Sequence, residues 1–138
     1  MELGNSQNTS QVSINVYGKF KVTGTKSRVV NTDDYGEKLL YCYETPTPMF
    51  GDIGEGVISD DGFCYVNIEP IFSETIELSQ YQIFLQCYGD GKAYVYDRKP
   101  NYFIVAGTPN LSFGWELKAR QIDYANIRME SNTDDVLK

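Results

Sequence analysis

Apolar and polar residues alternate along this chain in short runs. Val12, Ile14 and Val16 alternate with Ser13 and Asn15, which predicts a half-buried strand; Gly18 breaks it and residues 20–22 resume it. Residues 39–43 (LLYCY) form a short apolar run. Residues 63–68 follow the turn signal Ser59-Asp60-Asp61-Gly62, and Asp-Gly between apolar segments predicts a hairpin. Residues 81–88 (YQIFLQCY) end at Gly89-Asp90-Gly91, and residues 93–96 return, a second hairpin signal. Residues 102–106 are β-branched and aromatic, closed by Gly107-Thr108-Pro109-Asn110. Phe113, Trp115, Leu117 and Ala119 then alternate with Ser112, Gly114, Glu116 and Lys118, the cleanest period-two stretch of the chain. Residues 122–129 read as a last strand or a short helix, and no long segment keeps a helical period. The expected fold is all-β: an antiparallel β-sandwich or barrel-like domain with a short N-terminal strand as lead-in.

The stretch between these runs defines the organisation. Residues 1–19 read as a polar lead-in that serves as a tether or stalk strand, residues 20–130 as the β-sandwich, and residues 131–138 as a flexible tail. Residues 44–56 (ETPTPMFGDIGEG) contain two prolines and three glycines, and are expected to be a long irregular loop. Long structured loops are where binding concentrates.

Composition narrows the chemistry. The chain has 138 residues, 19 Asp and Glu against 12 Lys and Arg, and a net charge of -7. Nucleic acid and anionic membranes are poor partners for such a surface, and no apolar run is long enough for a membrane helix, so no membrane insertion is expected. Histidine is absent, which excludes His-based triads and His-ligated metals. Cys42, Cys64 and Cys87 lie in apolar runs with no metal-ligand spacing, so they read as reduced core thiols in a protein made in a reducing cytoplasm. No metal, cofactor or catalytic residue is expected, and the chain reads as no enzyme.

Candidate site residues come from the strands and the loop. Trp115, the only tryptophan, shares a face with Phe113 and Leu117 and is expected to anchor the core. Eleven tyrosines lie mostly on strands, where packing with an exposed hydroxyl is the ordinary role. Tyr94 and Tyr96 share a strand face beside the Gly89-Asp90-Gly91 turn, so they are the best candidates for a glycan- or protein-binding patch. Glu44, Asp52 and Glu55 are the loop carboxylates that could contact a ligand. Lys26 and Ser27 are adjacent, so on a strand they point to opposite faces and make a poor nucleophile–base dyad.

An ordered set of short motifs runs through residues 20–130: Val22-Thr23-Gly24-Thr25-Lys26, Tyr43-Glu44-Thr45-Pro46, Tyr65-Val66-Asn67-Ile68, residues 102–107, and Phe113-Gly114-Trp115 closing on Ala119. This order resembles the β-rich C-terminal domain of bacteriophage and prophage tail-fibre-like minor structural proteins. There the pattern is V-x-G-x-K, an E-G-P-like turn after a strand, and F-x-W-x-x-x-A. The turn here, Glu44-Thr45-Pro46, lacks the glycine. The resemblance implies structural roles for Gly24 and Pro46 and carries over no catalytic residue. It implies a structural or receptor-binding module near the distal end of a virion appendage, a homotrimer whose partner is a host-surface saccharide or protein. The strand around Val12, Ile14 and Val16 would then pack about a three-fold axis. The other readings are a stand-alone carbohydrate- or protein-binding β domain and a self-cleaving fibre-maturation domain.

Overall fold

The computed structural model describes residues 12–133. Residues 1–11 of the lead-in and 134–138 of the tail lie outside the described residues. The chain divides into two compact units, Met1–Glu44 and Thr45–Lys138.

Among its described residues the first unit contains a single hairpin. Strand β1 (Ser27–Thr32) pairs antiparallel with β2 (Gly36–Tyr41), from Ser27 opposite Tyr41 to Thr32 opposite Gly36. The Thr32 hydroxyl caps the reversal, donating to the Gly36 carbonyl at 2.8 Å and accepting from the Tyr35 N–H at 3.1 Å. Every residue of β2 is exposed, and so is Cys42, which is therefore no core thiol. A two-stranded ribbon has no second layer to bury a side chain against. The strand expected around Val12, Ile14 and Val16 does not form; all three are exposed and unpaired in any ladder. Alternation specifies a strand only where an edge can take up its N–H and C=O groups.

The second unit is an antiparallel β-sandwich, as the patterning predicts. Its described residues hold six strands: β3 (Met49–Val57), β4 (Phe63–Asn67), β5 (Gln82–Cys87), β6 (Ala93–Arg98), β7 (Tyr102–Gly107) and β8 (Ser112–Arg120). One sheet has the order β3-β8-β5 and the other β4-β7-β6. A short helix α1 (Pro70–Ser73) and 3₁₀ turns Leu78–Gln80 and Ile122–Tyr124 complete the unit. The inner faces meet through Phe103 and Val105 of β7 and Phe113, Leu117 and Ala119 of β8, all nearly or fully buried. Phe103 and Trp115 bridge the sheets edge to face, with ring centroids 5.4 Å apart. Cys64 and Cys87 pack against this core as free thiols.

Two expectations are corrected here. Residues 49–57 are no irregular loop: they form a nine-residue strand paired along its length with β8. Gly54 and Gly56 lie directly opposite Trp115 and Phe113, and those rings lie over the bare glycines. A β-carbon at Gly54 would sit 2.5 Å from the indole. Glycine disfavours an isolated strand, but here it makes room for the aromatic neighbours. The second correction concerns the hairpins. The Ser59–Gly62 turn does reverse the chain: the Asp61 carboxylate accepts from the Phe63 N–H at 3.1 Å, and Gly62 has φ 86°. Yet β3 continues in one sheet and β4 in the other, and the same holds for β5 and β6 around Gly89-Asp90-Gly91. Both turns are corners between sheets. Turn chemistry sets the reversal, whereas the choice of strand partner is tertiary. Consecutive strands of one sheet in this unit are β6 and β7, closed by the Lys99 N–H on the Tyr102 carbonyl at 2.8 Å.

Tyr81 ties the approach to β5 onto that β6–β7 turn. It is buried, and its hydroxyl donates to the Lys99 carbonyl at 2.7 Å. The Arg98 guanidinium donates to the Tyr81 carbonyl and lies over its ring at 5.8 Å. Burial pushes the phenol above its ordinary value of 10.0, with Arg98 and the Lys99 backbone pulling the other way. A folded-state value above the unfolded one gives stability that is complete below the unfolded value and is lost as pH rises through the folded one. In denaturant melts, the wild-type chain should therefore weaken above pH 10.0. Tyr81→Phe should cost about 1 kcal/mol at neutral pH but flatten the alkaline limb. Coincident alkaline limbs would show that this hydroxyl does not set the dependence.

Candidate functional site

The outer face of the β4-β7-β6 sheet is built from cross-strand rows. Phe103 and Val105 of β7 point inward, so Tyr102, Ile104 and Ala106 point outward. Residues directly opposite across a ladder share a face. Phe63 and Tyr94 therefore flank Ala106, and Tyr65 and Asp97 flank Ile104. Ile104 and Ala106 are buried although they face outward, because the rings beside them cover them. The ladder slips between Val95 and Asp97, and the bulged Tyr96 reaches across to Phe63. Those two rings meet edge to face at 5.2 Å, while Tyr65 and Tyr102 meet at 6.0 Å. The result is an aromatic platform in which Tyr65, Tyr94 and Tyr96 are each more than half exposed. Asp97 and Lys99 form an ion pair at 2.9 Å at its edge, and the hydrogen bond from Lys99 holds the Asp97 carboxyl below its ordinary value.

The β3-β8-β5 sheet carries a groove on its outer face. Its volume is about 640 Å³. Phe84, Gln86 and Tyr88 line one side, Ile53 and Glu55 the other, and Gly114 and Glu116 of β8 lie between them. Lys118 lies 3.8 Å from Glu116.

The sequence-predicted residues fall in separate places. Tyr94 and Tyr96 stand together on the platform. The three carboxylates do not converge. Glu44 is in the first unit, 3.0 Å from Lys26. Asp52 and Glu55 are an odd number of residues apart on β3 and so face opposite sides. Asp52 accepts from the neighbouring Ile53 N–H at 2.9 Å, whereas Glu55 lines the groove. Trp115 and Phe113 belong to the core. Gly24 has open space around it, and the Pro46 carbonyl accepts from the Met129 N–H at 2.8 Å.

Phe63, Tyr65 and Tyr102 joined the platform without being singled out in the sequence, because their adjacency to Tyr96 depends on β4 and β6 both flanking β7. Gln86 had a readable signal, because Gln82 and Gln86 mark the outer face of the period-two run of residues 82–87; Phe84 lies between them on that face and breaks the polar pattern, so nothing in the sequence pointed to it. No family model, curated protein or solved structure matches this chain.

Proposed function

We propose that the chain is a non-catalytic structural and receptor-binding module of a phage tail fibre or virion appendage, and that its tyrosine platform takes a host-surface saccharide. The observation that carries the binding reading is the platform itself: exposed tyrosines on β4 and β6, on either side of a buried Ile104 and Ala106 of β7. A saccharide presents flat C–H faces that stack on such rings, and its hydroxyls can reach the phenol groups at the rim. Clustered exposed aromatics of this kind mark interaction sites. The virion context rests on the ordered motifs from Val22 to Ala119. A trimer is in keeping with the first unit, whose hairpin buries almost nothing by itself.

Titration of the full chain with purified host envelope polysaccharides, followed by calorimetry, tests this. Binding is expected, and Tyr94→Ala or Tyr96→Ala should weaken it about tenfold. Silence across polysaccharides from several hosts, or variants that bind as the wild type does, would remove the saccharide from the proposal. Light scattering on the same sample should give three times the chain mass of 15.7 kDa. A monomer would confine trimer formation to another part of the fibre.

A further inference from the structure

The groove on the opposite sheet has a chemistry of its own. We propose that it is a second binding site, for an amino sugar carrying a free, protonated amine. Glu55 of β3 lies opposite Gly114 of β8, and Glu116 lies opposite Ile53. The two glutamates are thus diagonal neighbours on one face, about 7–8 Å apart at the backbone. Their side chains are long enough for both carboxylates to approach one ammonium group placed between them. Both border the groove, whose volume of about 640 Å³ falls in the range of small-ligand sites.

The other walls suit a sugar ring. Phe84 is 52% exposed and Ile53 is 74% exposed, so apolar surface is open to a ligand on both sides of Glu116. Gln86 supplies both a donor and an acceptor for ring hydroxyls. Gly114 supplies no side chain, and this shapes the floor. A β-carbon there would stand 2.2 Å from the Tyr88 hydroxyl, so the phenol lies across bare backbone and offers its oxygen to the groove.

Charge then selects among sugars. Ionised carboxylates accept hydrogen bonds and donate none. An acidic sugar would face both glutamates and the -7 charge of the whole chain. A neutral sugar would satisfy the acceptors without charge pairing. A protonated amine does both. The Lys118 ammonium, 3.8 Å from Glu116, competes for that carboxylate, so the larger share of the pairing with a ligand's amine falls to Glu55. A basic peptide shares the charge but lacks the ring that Phe84 and Tyr88 would stack on.

Calorimetric titration of the full chain with a short glucosamine oligomer tests the proposal, alongside its fully N-acetylated counterpart and an oligolysine peptide. The glucosamine oligomer is expected to bind, and the acetylated one to bind about tenfold more weakly or not at all. Glu55→Gln and Phe84→Ala should each weaken glucosamine binding about tenfold. Both positions lie on the sheet's outer face, and an unchanged denaturation midpoint checks that they still fold. Gly114→Ala, which displaces the far end of Tyr88 from the floor, should weaken binding too. The proposal is overturned if the glucosamine oligomer gives no heat, if the acetylated oligomer or oligolysine binds as tightly, or if Glu55→Gln leaves binding unchanged.

Discussion

Phe113→Ala is expected to cost the sandwich about 3–5 kcal/mol, the usual range for emptying a fully buried aromatic site. Phe113 has no solvent exposure, and its ring fills the space over Gly56, directly across the ladder. A β-carbon at Gly56 would meet that ring at 2.7 Å and the Cys64 sulphur at 3.3 Å. Gly56→Ala is therefore destabilising in the wild-type background. In the Phe113→Ala background the ring is gone and the new methyl group enters part of the vacated volume. The double variant should then be more stable than the sum of the single effects by about 1 kcal/mol or more. Urea titrations of the four proteins measure this. Strict additivity would mean that the ring does not depend on the glycine.

Gly107→Ala should be as severe by a different route. Its β-carbon would lie 2.0 Å from the Lys92 carbonyl oxygen and 2.9 Å from Ile58 Cδ1. The first is backbone, and that same oxygen accepts from the Thr108 N–H at 2.9 Å. Ile58 is fully buried. Neither neighbour can yield as an exposed side chain would, so the β7 end must pull away from the start of β6. A loss of about 4 kcal/mol or more is expected, enough to unfold a marginal domain. Thermal melting with circular dichroism reads it directly. A melt close to that of the wild type would show that the two strand ends separate at little cost.

Both variants concern close approaches that a residue-by-residue reading does not reveal. The alternation from Phe113 to Ala119 was legible from its period of two, and residues 102–106 as a continuous β-branched and aromatic run, the mark of a strand buried on both faces. Residues 49–57 were not, because glycine opposes a strand locally and is favoured only once Trp115 and Phe113 lie opposite. The two Asp- and Gly-rich turns were recognisable as reversals, but the sheet each strand joins depends on β7 and β8, far along the chain. The site divides in the same way. Tyr94 and Tyr96 could be named from their strand. Their partner Phe63 required the β4-β7-β6 order, and the convergence of Glu55 with Glu116 and Phe84 required β8 to lie between β3 and β5. Val12, Ile14 and Val16 show the converse, a strand pattern without a strand to pair with.

The central place of β8 also bears on how the protein is made. It is the last strand of the described residues, yet it holds β3 and β5 together, with Met49 paired to Arg120. During synthesis, β3 emerges early and keeps an unsatisfied edge until nearly the whole unit has left the ribosome. Contacts this distant in sequence make closure slow. A chain stopped before Ser112 would expose β3 and β5 as unpaired strands, with the apolar face that β8 covers open to other nascent chains.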